Sequence, residues 1–420
     1  MLVAYNLSTD GIIVVIDNTS AEIAISNEDT FVSTWKTDNA GTSGSTQITL
    51  PLEAGGTYDF GINWGDGSSS KITAYDQAEV THTYPIAGTY KVKIDGVING
   101  WRFNDGGDKA KITDISQWGD LLIGNSTGYF YGCSSLDVSA TDVLDVSNVT
   151  TLERALQDCT SLTTLDVSNW ELNTDEGVSI SFNDTFQSCT RLTTLDVSNW
   201  GVSSVTTFYK AFYSCGLLDG LDVSNWDVSS VTSFYAAFLN CSNLTTLDVS
   251  NWDVSSVTTF KYAFYQCGLL DGLDISGFAI PELTNATEML TGTTIANYSD
   301  VLINWAAQDT IKSNVVFGAG ANTYPATTQD SGTTDGTTAS KLVQSGQNFN
   351  TTVAINDVIH NTTDNTWAVV TAVDSDTTLS IDNDIMISGE AYVIYRSAGV
   401  LAKARLIIDY DWIITDGGAE

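Results

Sequence analysis

The chain has 420 residues with 51 acidic and 16 basic side chains, a formal net charge of −35 and a pI near 4.1. Only 16% of residues are charged, while 42% are hydrophobic and 10% aromatic. This balance excludes the disordered class, and the length suggests about two to four domains. A surface this negative repels phosphate backbones, which argues against nucleic acid as a partner. Two histidines, His82 and His360, leave little for His-based acid–base or metal chemistry.

The first residues, MLVAYNLSTDG, have no basic stretch and no cleavage pattern, so no signal peptide is expected. No run of 18 apolar residues occurs, so no membrane insertion is expected either. Within residues 1–30, GIIVVID and AEIAIS predict two strands of an attachment segment. In residues 31–104, TYDFGINWGDGSSS is an alternating strand closed by a tight turn at Trp64-Gly65-Asp66-Gly67. GTYKVKI then supplies the next strand of a sandwich.

Residues 105–293 repeat. The cysteines at 133, 159, 189, 215, 241 and 267 are spaced 26, 30, 26, 26 and 26 residues apart. Trp118, Trp200, Trp226 and Trp252 each precede a cysteine by 15 residues, and Trp170 does so by 19. Extra residues in ELNTDEGVSI account for the single longer interval. A fixed period of this size marks a stacked array. In each unit LxxLDVS alternates like a short strand, and Val231, Phe234, Phe238 and Cys241 are spaced 3, 4 and 3, which predicts a short helix with one buried face. TDISQW, ending at Trp118, and LDISGF, ending at Phe278, read as degenerate terminal units; Thr293 fills the last cysteine slot.

The unit AFxxCxxLxxLDVSNWDVSSVTxF resembles the bacterial-surface-protein (BspA-like) class of leucine-rich repeats, common in adhesins and in phage and other surface proteins. Upstream, WGDG followed by His82, Tyr84, Gly88, Thr89 and Tyr90 resembles a polycystic-kidney-disease-type (PKD) immunoglobulin-like domain, a spacer or adhesion module. Downstream, ANYSDVLINWAAQ predicts a capping helix with Val301, Leu302 and Trp305 on one face. AGVLAKARLIIDYDWIITDGG is similar to the helix and strand that close such solenoids. Between these pieces, residues 331–396 hold short β runs separated by ND, TTDNT and DSDTT turns, similar to small β modules of phage virion proteins. The expected fold is therefore multidomain and β-rich with short helices. A leucine-rich-repeat solenoid is preceded by a PKD-like sandwich and followed by a cap (residues 294–330 and 397–420) that carries the inserted β module.

Four sets of side chains are candidates for function. The cysteines occupy one buried slot each, as small hydrophobes; disulfides or a metal are the lesser alternatives, since no CxxC or Cys/His cluster exists. Asp166, Asp196, Asp222, Asp248 and Asp274 share one register. Stacked like charges there call for hydrogen bonds from neighbouring Ser and Asn, a ligand-recognition role, or a cation such as Ca²⁺. Trp200, Trp226 and Trp252 form either a buried stack or an exposed ladder for sugar rings. Tyr209, Tyr213, Tyr235, Tyr262 and Tyr265 lie beside the buried face and are the better candidates for touching a partner. No catalytic constellation stands out, and no cofactor is implied. Asp66 sits in no nucleophile elbow or phosphate loop, and His82 is expected to be structural.

The resemblances imply a non-enzymatic bacteriophage virion protein displayed on the particle, as a tail fibre, adhesion or head-decoration protein. Its expected partners are other virion proteins and host surface glycans or proteins, in multiple copies. The alternative is a bacterial cell-surface BspA-like adhesin.

Overall fold

The computed structural model describes residues 3–6, 13–16, 28–170, 172 and 179–419. The protein is β-rich, built from several sheets with few and short helices. Val3–Asn6 and Ile13–Ile16 pair antiparallel, so GIIVVID does supply a strand, whereas AEIAIS lies outside the described residues.

The first large sheet has seven strands. Its path runs Asp137–Val138, Ile112–Gln117, Phe31–Lys36, Thr89–Trp101, Leu52–Asn63 and Ser69–Ile72, with Leu121–Leu122 added alongside Thr89–Trp101. Alternation of side chains builds it: Val92 and Ile94 are buried while Lys91 and Lys93, alternating with them, are exposed. Gln47–Thr49 and Thr81–Thr83 form a small second sheet, and Trp35, Phe60, Ile62, Trp64 and Trp101 fill the core. The sheet does not stop at residue 104. Its last strands are paired parallel, Leu121–Leu122 on Ile98–Asn99 and Asp137–Val138 on Asp114–Ile115, and so lead into the repeats. The junction is pinned by a buried cation. Lys111 Nζ donates to the carbonyls of Ser43, Gly44 and Gln47 at 2.8–3.1 Å, and Asp108 accepts from Ser43 and Thr49.

Through the repeats, parallel bridges link Thr207, Ser233, Thr259 and Asn285 in turn, and Leu221 with Leu247, so successive repeats are stacked tiers. The expected helix in each repeat does not form. Phe234–Cys241 is a pair of tight turns, Ala237 N–H to Phe234 O (3.1 Å) and Cys241 N–H to Phe238 O (3.1 Å). Each turn has a left-handed residue at its third position, Ala236 (φ 51°) in the first and Asn240 (φ 60°) in the second. In a helix the Phe238 N–H would return to Phe234; instead Phe234, Ala236, Phe238 and Asn240 donate to Thr259, Lys261, Ala263 and Tyr265 of the next tier at 2.9–3.1 Å. Two consecutive turns bring every third or fourth side chain inward just as a helix does, which is why the spacing misleads. This forward ladder runs without interruption through the described tiers, from Phe103 N–H on Tyr129 O to Ala319 N–H on Thr415 O.

At the far end the ladder becomes a short parallel sheet of Asn285–Ala286, Val316–Gly318 and Ile413–Thr415. Helix Tyr298–Ala306 buries Tyr298, Val301, Leu302 and Trp305, as its spacing predicts, and packs on helix Ala398–Tyr410. Between Pro325 and Ser397 a six-stranded sheet, Thr327–Thr333 to Ala391–Arg396, holds a core of its own that includes Leu342, Phe349, Ile359, Val370, Leu379 and Ile394. Its first and last residues pair, Thr327 with Arg396. The module therefore begins four residues before position 331 and leaves the main chain where it entered. Among the described residues, no helix is long and apolar enough to cross a membrane.

Candidate functional site

Each tier presents the same side chains at the same height, so a site here is a column. The thiols form the innermost one. All six cysteines are free and buried. Sγ of Cys159, Cys189, Cys215, Cys241 and Cys267 donates to a carbonyl of the preceding tier at 3.0–3.3 Å, and the Thr293 hydroxyl does so in the last slot. Burial pushes the thiols up, to about 12 for Cys215 and Cys267. The column holds the tiers together and is chemically quiet.

The tryptophans are buried as well. Trp170, Trp200, Trp226 and Trp252 stack with centroids 5.7–6.2 Å apart and planes within 6°. The indole N–H groups of Trp200, Trp226 and Trp252 donate to Val167, Val197 and Val223 carbonyls at 2.9–3.1 Å. The Trp170 N–H is buried without a partner, but all four rings are stacked and buried, so they are core and offer nothing to a sugar.

The five aspartates are exposed, and each is occupied by its own turn. Oδ1 of Asp166, Asp196, Asp222, Asp248 and Asp274 accepts both the N–H and the hydroxyl of the serine two residues on, at 2.6–3.2 Å. These hydrogen bonds hold Asp196, Asp248 and Asp274 below the usual carboxylate range. Among the described residues, no group of three or more His, Cys, Asp or Glu is placed to hold a metal ion.

The tyrosines behave differently. Tyr209, Tyr213, Tyr235, Tyr262 and Tyr265 are half-buried on one face of three adjacent tiers. Tyr209 stacks on Tyr235 (4.9 Å, 13°), Tyr235 meets Tyr262 edge-on (6.0 Å), and Tyr262 meets Tyr265 edge-on (5.7 Å). Two lysines complete the strip. Lys210 Nζ lies 5.1 and 5.6 Å from the rings of Tyr209 and Tyr213, and Lys261 Nζ lies 5.0 Å from Tyr262. Neither lysine forms an ion pair among the described residues, and Lys210 acts on the Asp184 carboxyl of the preceding tier only through its field. Aromatic spacing finds the tyrosines in the sequence. The lysines are missed there because their role depends on lying across rings in neighbouring columns.

Away from the tiers, the WGDG turn is a closed structural unit. His82 stacks on buried Trp64 (4.6 Å, 7°) and its Nε2 lies 2.9 Å from Asp66 Oδ2; Tyr84 donates to the Trp64 carbonyl (3.0 Å). Desolvation raises the Asp66 carboxyl, but hydrogen bonds from Ser68 and His82 outweigh it and bring the group to about 2. His82 is thus engaged structurally, as its strand position implies.

No curated protein and no solved structure matches the chain. Residues 102–184 and 180–305 match a family model described as Mycoplasma protein of unknown function, DUF285, so the similarity covers the stacked tiers and the first helix after them.

Proposed function

We propose that the protein is a non-enzymatic attachment protein displayed on a bacteriophage particle, contacting host surface glycans or proteins through the tyrosine strip. In this reading the stacked tiers are a BspA-like leucine-rich-repeat solenoid, the first large sheet belongs to a PKD-like spacer, and residues 327–396 are an accessory β module hung from the cap. The observation that carries it is the contrast between columns. The thiols of Cys159, Cys189, Cys215, Cys241 and Cys267, the indoles of Trp200, Trp226 and Trp252 and the five aspartates are engaged within the protein, while one strip of aromatic and cationic side chains lies half-exposed along the frame. Three adjacent tiers offer a binder a preorganised surface whose side chains lose little freedom on contact.

Imaging of purified particles tests the placement: a density with a continuous tiered rod and a laterally attached β module is expected on the particle exterior. Recovery of the chain only from membranes of uninfected cells would overturn it. That outcome is the second reading, a bacterial cell-surface adhesin, and the family description naming a bacterial genus favours it. Release of soluble sugar from host polysaccharide by the purified chain would overturn the non-enzymatic assignment in either setting.

A further inference from the structure

We infer that the cleft between the first large sheet and the loop that leads into the tiers binds the ring of a neutral sugar, held by Glu53, Asn99 and Asn125. The site lies apart from the tyrosine strip and does not rest on the attachment reading. Three observations lead there.

The first is a built-in bulge. Where Leu52–Asn63 pairs with Thr89–Trp101, Leu52 lies opposite Trp101 and Thr57 opposite Asn99, so the four residues 53–56 face Gly100 alone. Buried Tyr58 pins the bulge: its hydroxyl accepts from the Glu53 N–H (2.9 Å) and donates to the Gly100 carbonyl (2.8 Å). A bulge re-aims a side chain. Here it turns Glu53 toward loop 124–126, where the Ser126 hydroxyl donates to its Oε2 (2.7 Å).

The second is the space. The cleft measures about 390 Å³, within the range of small-molecule sites. Four glycines line it, and Glu53, Asn99, Asn125 and Ser126 supply its side chains. Gly124 has φ 84°, and a Cβ there would come within 3.4 Å of both Glu53 Oε1 and Asn99 Oδ1. With glycine at this position the gap between the two oxygens stays open.

The third is unspent hydrogen-bonding capacity. Asn125 is anchored through Oδ1, which accepts from the Thr150 N–H (2.6 Å) and hydroxyl (3.1 Å), and its amide donors are left over. Among the described residues, Glu53 Oε1 and the Asn99 side chain have no hydrogen-bond partner either. Acceptors and donors side by side match neighbouring hydroxyls, each of which both donates and accepts. The lining excludes the competitors. It has no cationic side chain for an anion, no aromatic or large aliphatic side chain for an apolar ligand, and a single carboxylate, too few for a divalent cation. An organic ammonium would use the carboxylate and leave the amide donors unmatched.

Calorimetric titration of the full chain with glucose, galactose, mannose, calcium chloride and methylammonium tests this. At least one hexose is expected to bind, with Glu53→Gln and Asn99→Ala each weakening it by about fivefold or more. Unchanged thermal unfolding of both variants certifies the fold. Binding by none of the hexoses overturns the inference, as does hexose binding that either variant retains at wild-type strength. Calcium or methylammonium that binds tighter than every hexose, and is lost in Glu53→Gln, overturns it in favour of a cation. Each of these failures leaves the attachment reading standing, because that reading rests on the strip.

Discussion

Twice in every tier the backbone passes through the left-handed region, and most of the residues there are not glycine. Lys210, Ala236 and Tyr262 occupy one such column at φ 51–60°, and Ser188, Ser214, Asn240 and Gln266 the other at φ 58–60°. Gly128, Gly132 and Gly292 take the same slots in the outer tiers. A Cβ in this region costs about 1 kcal/mol, so Ser214→Gly is expected to raise the unfolding free energy by roughly 0.5–1 kcal/mol and Ser214→Ala to leave it unimproved, as read by denaturant titration. Acid acts on a different residue. Asp66 sits at about 2 in the folded protein, below its ordinary value of 3.8, so the stability it contributes is complete above pH 4 and is lost as pH falls toward 2. Asp66→Asn should flatten the decline in melting temperature over that interval. The thiols supply a third check: native protein at pH 8 should resist alkylation at all six cysteines, and denatured protein should react at all six.

At the level of the element, a tier is exchangeable because its hydrogen bonds are made to neighbours at a fixed offset. Removing Gly216–Cys241, one full period, joins Cys215 to Ser242 and keeps every column in step. The shortened chain should fold, with a smaller dependence of unfolding free energy on denaturant, while removing half as many residues from the same place should abolish cooperative unfolding. Trp226→Ala, which opens the middle of the indole stack, is expected to cost about 3–5 kcal/mol. The period and the cysteine and tryptophan clocks were legible in the sequence because each column needs one residue type at one height. The capping helix was legible because Val301, Leu302 and Trp305 lie on a single stripe. The turns of Phe234–Cys241 were not. Spacing of 3, 4 and 3 is shared by a helix and by two tight turns, and what decides between them is the row of N–H groups donating 25 residues ahead. Of the candidate site, the tyrosines could be named from their positions. The engagement of each aspartate by its own serine was one of several open readings until the geometry closed it, and the lysines needed three dimensions.

For the molecule as a whole, the cap is closed by a small buried network. Lys403 Nζ and the Tyr298 hydroxyl both donate to Asp416 at 2.8 Å, and Lys403 and Asp416 are almost fully buried. Removing Asp416 strands a buried cation, so Asp416→Ala is expected to destabilise by about 3–5 kcal/mol. The β module of residues 327–396 hangs from this cap on two strands joined at their base, where the Ser397 hydroxyl already donates to the Pro325 carbonyl (2.6 Å).

The forward ladder has one more consequence, and it concerns the two ends of the stack. Because the N–H groups of Phe234, Ala236, Phe238 and Asn240 and their counterparts point toward the later tier, the peptide dipoles along this edge add rather than cancel. The first tier would present a row of bare acceptors and the last a row of bare donors, so the two faces are complementary and not alike. In the intact chain the seven-stranded sheet covers one and the Ile413–Thr415 strand the other. Stripped of both, the tiers would join head to tail into an open filament, and never face to face into a closed pair.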